Sequence, residues 1–400
     1  MQKTPKSLRL TIGLFGKTNV GKSSFLNMIT GQDVSIVSEI HGTTTDIVEK
    51  PMELLPIGPV LFLDTAGLDD NSELGEKRVI RTKNAIKRAD IVVIITTAQA
   101  NDTDLEIARR CANENIPLII IFNKSDIEKP EEKTIKKFVN LGEILILSSA
   151  NAVEREQNIV AFKEKIIKIV PEEFITPPPL LGDIVLPGKH TIFVVPIDIA
   201  APKGRLILPQ AQAIRDVLDA NAVVSITQQN TYKQMFDSLK SKPDLVVCDS
   251  QVVDFVAKNT PEDVKLTTFS IVFARNKGDL EVFVEGGGKI EKLTSDDKIL
   301  IAESCTHHPL EQDIGRVKIP KLLERNLGFA PQIDFCSGKD FPQGLQKYSL
   351  VIHCGGCMLT RREMLMRMET CRQKNVAITN YGVAISFLQG IAMRTIAPFM

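Results

Sequence analysis

At 400 residues the chain is too long for a single hydrophobic core and suits two or three domains, each large enough to bury its own interior. Lys plus Arg and Asp plus Glu both number 49, so no whole-chain field draws in nucleic acid or an anionic membrane, and no apolar run approaches the roughly eighteen residues of a membrane span. Seven cysteines in such a chain argue against a disulfide framework and for reduced thiols, and a charged start without an apolar h-region sets the expectation of a cytoplasmic protein.

From residue 8 to about 170 apolar runs (LRLTIGLFG, PVLFLDTAG, ADIVVIITTA, IPLIIIFNKSD, EILILSSA) alternate with amphipathic stretches. This is the rhythm of a mostly parallel sheet with crossover helices, and it predicts an α/β domain over 1–170. The first run leads into GKTNVGKS, Gly16 to Ser23, which fits G-x-x-x-x-G-K-[ST] between a strand and a helix. Gly16 and Gly21 let backbone N–H groups converge on phosphate oxygens, Lys22 reaches the β and γ phosphates, and Ser23, followed by Ser24, offers a hydroxyl to magnesium at a helix N-terminus.

Further motifs follow in order. Asp64 in DTAG supplies a carboxylate to the magnesium shell, and Gly67 an N–H that senses a γ-phosphate. In NKSD, Asn123 and Lys124 precede Asp126, whose carboxylate accepts both N1–H and the 2-amino group of guanine. Adenine lacks that donor pair, which is worth a discrimination on the order of 10⁴, so the predicted ligand is GTP. Ser149 and Ala150, in SSA, end the last strand where backbone meets the base. The set resembles the translation-factor class of P-loop GTPases, closest to the Era and tRNA-modification branch through GTTTD at 42–46. That resemblance implies that Thr44 is the switch I threonine and that Asn19 helps to bind a potassium ion; a plain polar loop residue is the competing reading of Asn19. Lys22, Asn19 and Thr44 are thus the candidate catalytic residues. Leu68 stands where a water-orienting glutamine would, which predicts slow hydrolysis and a switch role.

The composition turns to PEEFITPPPLLGDIVLPGK, a predicted linker over 171–188. A second alternation over 189–268 reads as a small α/β unit without a phosphate loop, expected to mediate dimerisation. A third α/β block, 269–400, holds five of the seven cysteines. EGGGK at 285–289 reads as a flexible hinge, and the Met-rich helix 361–374 as core packing. Cys111, Cys248, Cys336 and Cys371 read as buried or incidental thiols.

In the third block Cys305-x-His307 is followed, after forty-five residues, by His353-Cys354-x-x-Cys357. Both halves end apolar runs, KILIAES and YSLVIH, so parallel neighbouring strands would bring them together at a sheet edge. Cys305, Cys354 and Cys357, with His307 and His353 as further candidates, suit structural zinc or an iron–sulfur cluster, and spacing does not choose between them. With the GTPase motifs and a small middle domain in front, this spacing resembles the HydF family, the GTPase maturases of FeFe hydrogenases, over essentially the full chain. The resemblance implies a homodimer through the middle domain, a 4Fe–4S cluster on the three cysteines, and a scaffold role. In that role the chain receives a diiron precursor from two radical-SAM maturases and passes it to the apo FeFe hydrogenase, with no nucleic-acid or membrane partner. The alternative is a ribosome- or tRNA-associated GTPase with a structural zinc domain.

Overall fold

The computed structural model describes residues 8–30, 48–65, 85–175, 178–196, 206–304, 313–338, 341–342, 344–356 and 359–400. It divides into two compact α/β units, Met1–Pro177 and Pro178–Met400. No helix among the described residues is long and apolar enough to cross a membrane.

The first unit is built on β1 (Leu10–Phe15), β2 (Val48–Leu54), β3 (Gly58–Asp64), β4 (Ile91–Thr96), β5 (Leu118–Phe122) and β6 (Glu143–Ile146). Their order is β2-β3-β1-β4-β5-β6. All pairings are parallel except the β2–β3 edge hairpin. The central strands are unbroken runs of Leu, Ile, Val and Phe because helices cover both faces. Leu10, Ile12 and Leu14 meet Phe25 and Phe162 on one face, while Phe15, Val92 and Ile94 meet Ala108 and Phe138 on the other. Each such side chain contributes about 1.5–3 kcal/mol on burial. The parallel arrangement of β3, β1, β4, β5 and β6 puts the loops that follow these strands at one edge, where the nucleotide motifs sit.

The second unit holds two sheets, both parallel throughout. One comprises β7 (His190–Val194), β8 (Val223–Thr227), β9 (Leu245–Cys248) and β10 (Lys265–Thr268) in the order β10-β9-β7-β8. The other comprises β11 (Lys298–Glu303), β12 (Gln332–Ser337), β13 (Leu350–His353) and β14 (Ala377–Asn380) in the order β12-β11-β13-β14. One apolar interior runs through both: Ile192 and Val246 of the first sheet belong to the same buried group as Ile299 and Ile352 of the second.

Two stretches differ from the sequence reading. Of the proline-rich segment read as a linker, Leu181 and Val185 are buried in the second unit, and the N–H groups of Leu180, Leu181 and Gly182 all donate to the Asp216 carboxylate at 3.0, 2.7 and 2.8 Å. The expected hinge at 285–289 is instead the end of the helix Leu280–Gly288. A Cβ on Gly286 would stand 2.0 Å from the Ile378 carbonyl oxygen, and one on Gly287 2.5 Å from the Phe387 ring. The glycines are there to let this helix lie directly on β14, not to bend the chain. The Met-rich segment forms the helix Arg361–Gln373 with Met364 and Met368 buried.

Candidate nucleotide site and thiolate loop

The loop after β1 turns through left-handed backbone at Asn19, φ 65°, and Gly21, φ 96°. Gly21 is pressed so closely onto Asn123 that a Cβ would lie 2.3 Å from its Nδ2. Lys22 opens the helix Lys22–Thr30 and is 6% exposed. Its ammonium donates to the carbonyls of Gly16 and of Lys17, the latter at 2.7 Å, so it lies inside the loop. Ser23 and Ser24 are exposed beside it. β3 runs next to β1 with Leu14 opposite Asp64. The buried Asp64 carboxylate receives the Lys50 ammonium from β2 at 3.1 Å.

Asn123 ties the base-side motifs to the phosphate loop. Its side chain is 1% exposed; Nδ2 donates to Val20 O at 2.8 Å and to Ser149 Oγ at 3.0 Å, and Oδ1 accepts from Ser149 N at 2.9 Å. Lys124 follows with φ 61°, and the exposed Asp126 and Ala150 stand at the same edge of the sheet. The structure therefore brings Gly16, Asn19, Gly21, Lys22, Ser23, Ser24, Asp64, Asn123, Lys124, Asp126, Ser149 and Ala150 together. Thr44 and Gly67 lie outside the described residues. The closely packed glycine backbone, the buried lysine and the carboxylate fit a phosphate and its magnesium. Lys50 was not visible from any motif; only its place opposite Phe62 in the β2–β3 hairpin reveals it.

At the second site β11 and β13 are parallel neighbours with Ala302 opposite His353, and the strand order departs in opposite directions from this pair. Such a switch point opens a crevice beyond the strand ends. Cys354 stands there. Its sulfur meets Ser304 N at 3.2 Å and Ser304 Oγ at 3.1 Å. Burial pushes the Cys354 thiol up, but the neighbouring His353 ring, the Ser304 hydroxyl and the Gly356 N–H outweigh it and bring it down to about 6. Ser304 is the residue before Cys305. Cys305, His307 and Cys357 lie outside the described residues, and among the described residues no three His, Cys, Asp or Glu side chains converge as a metal site.

His353 is fully buried, and both ring nitrogens are engaged. Arg367 Nη1 lies 2.8 Å from Nε2, and Nδ1 lies 2.7 Å from the Cys354 carbonyl oxygen. Arginine only donates, so Nε2 accepts and Nδ1 carries the proton. A metal on either nitrogen would displace one of these bonds. Arg367 also donates to Gly338 O at 3.0 Å and packs over the Phe341 ring. Burial pushes the thiol of Cys336, near the end of β12, upward and that of Cys371 up to about 12; Cys111 and Cys248 are buried.

Comparison with known proteins separates the two units. Residues 11–124 match the family model described as a 50S ribosome-binding GTPase. The chain is 36% identical over 157 residues to the tRNA modification GTPase MnmE of Prochlorococcus marinus (strain NATL1A), covering 38% of this chain and 33% of that protein. It is 38% identical over 138 residues to the GTPase Der of Kosmotoga olearia, covering 32% and 31%. The chain thus spans about a third of the length of these curated relatives. The crystal structure of Aquifex aeolicus Era, 21% identical, covers 55% of this chain and 92% of its own with a TM-score of 0.33. Residues 180–278 match the hydrogen maturase F dimerization domain, and residues 281–398 the hydrogen maturase F tetramerization domain. These two models span more than half of the chain and follow the GTPase match without overlap.

The chain belongs to the hydrogen maturase F family. This HydF chain carries a GTPase domain matched over residues 11–124. Its second unit carries the two HydF self-association domains, one on each sheet.

Proposed function

We propose that this chain is a GTP-switched scaffold for building the active site of FeFe hydrogenase. In this reading a 4Fe–4S cluster sits on Cys305, Cys354 and Cys357. The chain accepts a diiron precursor from radical-SAM maturases in the cytoplasm and hands it to the apo-hydrogenase. Residues 1–170 bind GTP, 189–268 hold two copies together, and 269–400 carry the cluster. The observation that supports this most is the Cys354 sulfur at the β11–β13 switch point, where Ser304 N–H, Ser304 O–H and the Gly356 N–H all favour a thiolate. The residue contacting that sulfur, Ser304, directly precedes Cys305 in the sequence.

The donor set fits the group, because soft sulfur ligands with backbone N–H partners suit iron and sulfide. A cluster held by three thiolates supplies an iron open to an outside ligand. Cys354 would contribute its sulfur, Ser304 and Gly356 would hold the negative charge, and Arg367 holds the buried His353 ring through Nε2. In the first unit Lys22 would grip the phosphates, Ser23 and Asp64 would hold magnesium, and Asp126 would select guanine. With Leu68 unable to orient water, turnover is slow and nucleotide state times the handling of cargo.

Anaerobic reconstitution with iron, sulfide and zinc analysis and EPR of the reduced protein tests the reading. A brown protein with about four irons per chain, lost when Cys354 or Cys305 is replaced by Ser, is expected. A colourless zinc protein would return the ribosome- or tRNA-linked reading to first place. Lys22→Ala should slow hydrogenase activation with iron content intact. Turnover in potassium against sodium tests Asn19; equal rates remove its ion.

A further inference from the structure

We infer that Lys277 is a positioning residue for the Cys354 loop, delivered to it by the neighbouring dimerization segment. Lys277 is the last residue of the helix Phe269–Lys277 and is 5% exposed. A lysine at a helix end ordinarily stretches into water or caps its own carbonyls, since burying an ammonium is costly unless hydrogen bonds replace its hydration. This one turns inward. Its Nζ donates to Gly356 O at 3.0 Å and to Leu359 O at 2.9 Å. Those carbonyls stand on either side of Cys357 in the sequence Cys354-Gly-Gly-Cys357-Met-Leu359.

The contact bears on the sulfur. Gly356, two residues after Cys354, has φ 62°, and holding its carbonyl fixes that turn of the loop. Beyond the loop, Thr360 and Glu363 cap the helix Arg361–Gln373 through reciprocal bonds of 2.9 and 3.2 Å. Arg361 donates to the carbonyls of Asn276 and Gly278, so both ends of the loop are tied to the end of the Lys277 helix.

That helix is common to both sheets. Phe269, Val272 and Phe273 pack with Phe193 and Val247 of the first, whereas Ile271 and Ala274 pack with Leu300 and Val351 of the second. The dimerization match ends at residue 278 and the tetramerization match begins at 281. The ammonium that shapes the thiolate loop therefore comes from the segment matched to the dimerization domain, whereas the loop lies in the segment matched to the tetramerization domain. Its role in spacing Cys354 and Cys357 for a metal centre rests on the cluster reading above.

The test uses the full chain with Lys277→Met, Lys277→Ala and Lys277→Arg, with folding checked by circular dichroism. In apo protein at pH 9, where the thiolate predominates with or without the contact, iodoacetamide should alkylate Cys354, located by peptide mass, about tenfold faster in Lys277→Met, because the freed loop opens access to the sulfur; tenfold corresponds to losing roughly one charge-assisted hydrogen bond. After reconstitution, iron should leave to a chelator faster by a similar factor, the EPR line shape should change, and Lys277→Arg should restore both. Wild-type alkylation and release in a folded Lys277→Met overturn the proposal. Should Lys277→Met not fold, wild-type rates in a folded Lys277→Ala overturn it equally, since alanine, unlike glutamine, keeps no side-chain donor. Wild-type protein that takes up no iron defeats the cluster reading instead, and alkylation alone then decides the part played by Lys277.

Discussion

Replacing Asn123 by Ala should uncouple the three loops that its side chain ties together. The side chain makes hydrogen bonds of 2.8, 3.0 and 2.9 Å to Val20 O, Ser149 Oγ and Ser149 N. Each is worth about 0.5–1.5 kcal/mol net, and stranding the Val20 carbonyl and Ser149 N–H adds to the loss, so about 2–4 kcal/mol of preorganisation disappears. At about 1.4 kcal/mol per decade this weakens GDP and GTP alike by about 30- to 700-fold. Titration with a fluorescent nucleotide measures it, with denaturant unfolding as control. Gly21→Ala attacks the same contact from the other side, since its Cβ would stand 2.3 Å from Asn123 Nδ2. The two substitutions should therefore combine to less than the sum of their separate effects. A folded Asn123→Ala protein that binds nucleotide within threefold of wild type refutes the reasoning.

Asp126→Asn should cost GTP affinity by a factor on the order of 10²–10⁴ and admit xanthosine triphosphate, whose 2-oxo group can accept from the new amide; competition binding reads this directly. Gly286→Ala forces a methyl to within 2.0 Å of the Ile378 carbonyl and should destabilise the second unit by about 3 kcal/mol or more, seen in its thermal transition while GTP binding persists. In apo protein the alkylation rate of Cys354 should climb through about pH 6 and level off well below 9, the value of an ordinary thiol. Because the folded thiol ionises more easily than the unfolded one, the stability it contributes is complete above pH 9 and fades as pH falls toward 6. Denaturant midpoints compared with Cys354→Ser at pH 6 and pH 9 check the sign.

Much of the nucleotide site was legible because its residues lie close in sequence and each motif follows an apolar run such as IVVIIT or LIIIF, which only a strand buried on both faces accommodates. The pairing of KILIAE with LVIH was legible for the same reason. The glycines at 286–288 misled because local propensity favours a bend there, whereas a packing demand from Ile378, ninety-odd positions away, decides the matter. Lys277 and Arg367 left no local sign either. A basic residue at a helix end or on a helix face reads as solvated until the fold shows which carbonyl or ring nitrogen it meets. The tautomer of His353 is likewise set by Arg367, fourteen residues on, together with the carbonyl of Cys354.

The continuous interior of the second unit carries a practical corollary. Since Ile192 and Ile352 are walls of one oily compartment, cutting the chain between the two maturase segments would bare greasy faces on both fragments. Neither half is expected to stay soluble by itself, and chimaeras drawn from two relatives should succeed only when the pair is transplanted intact.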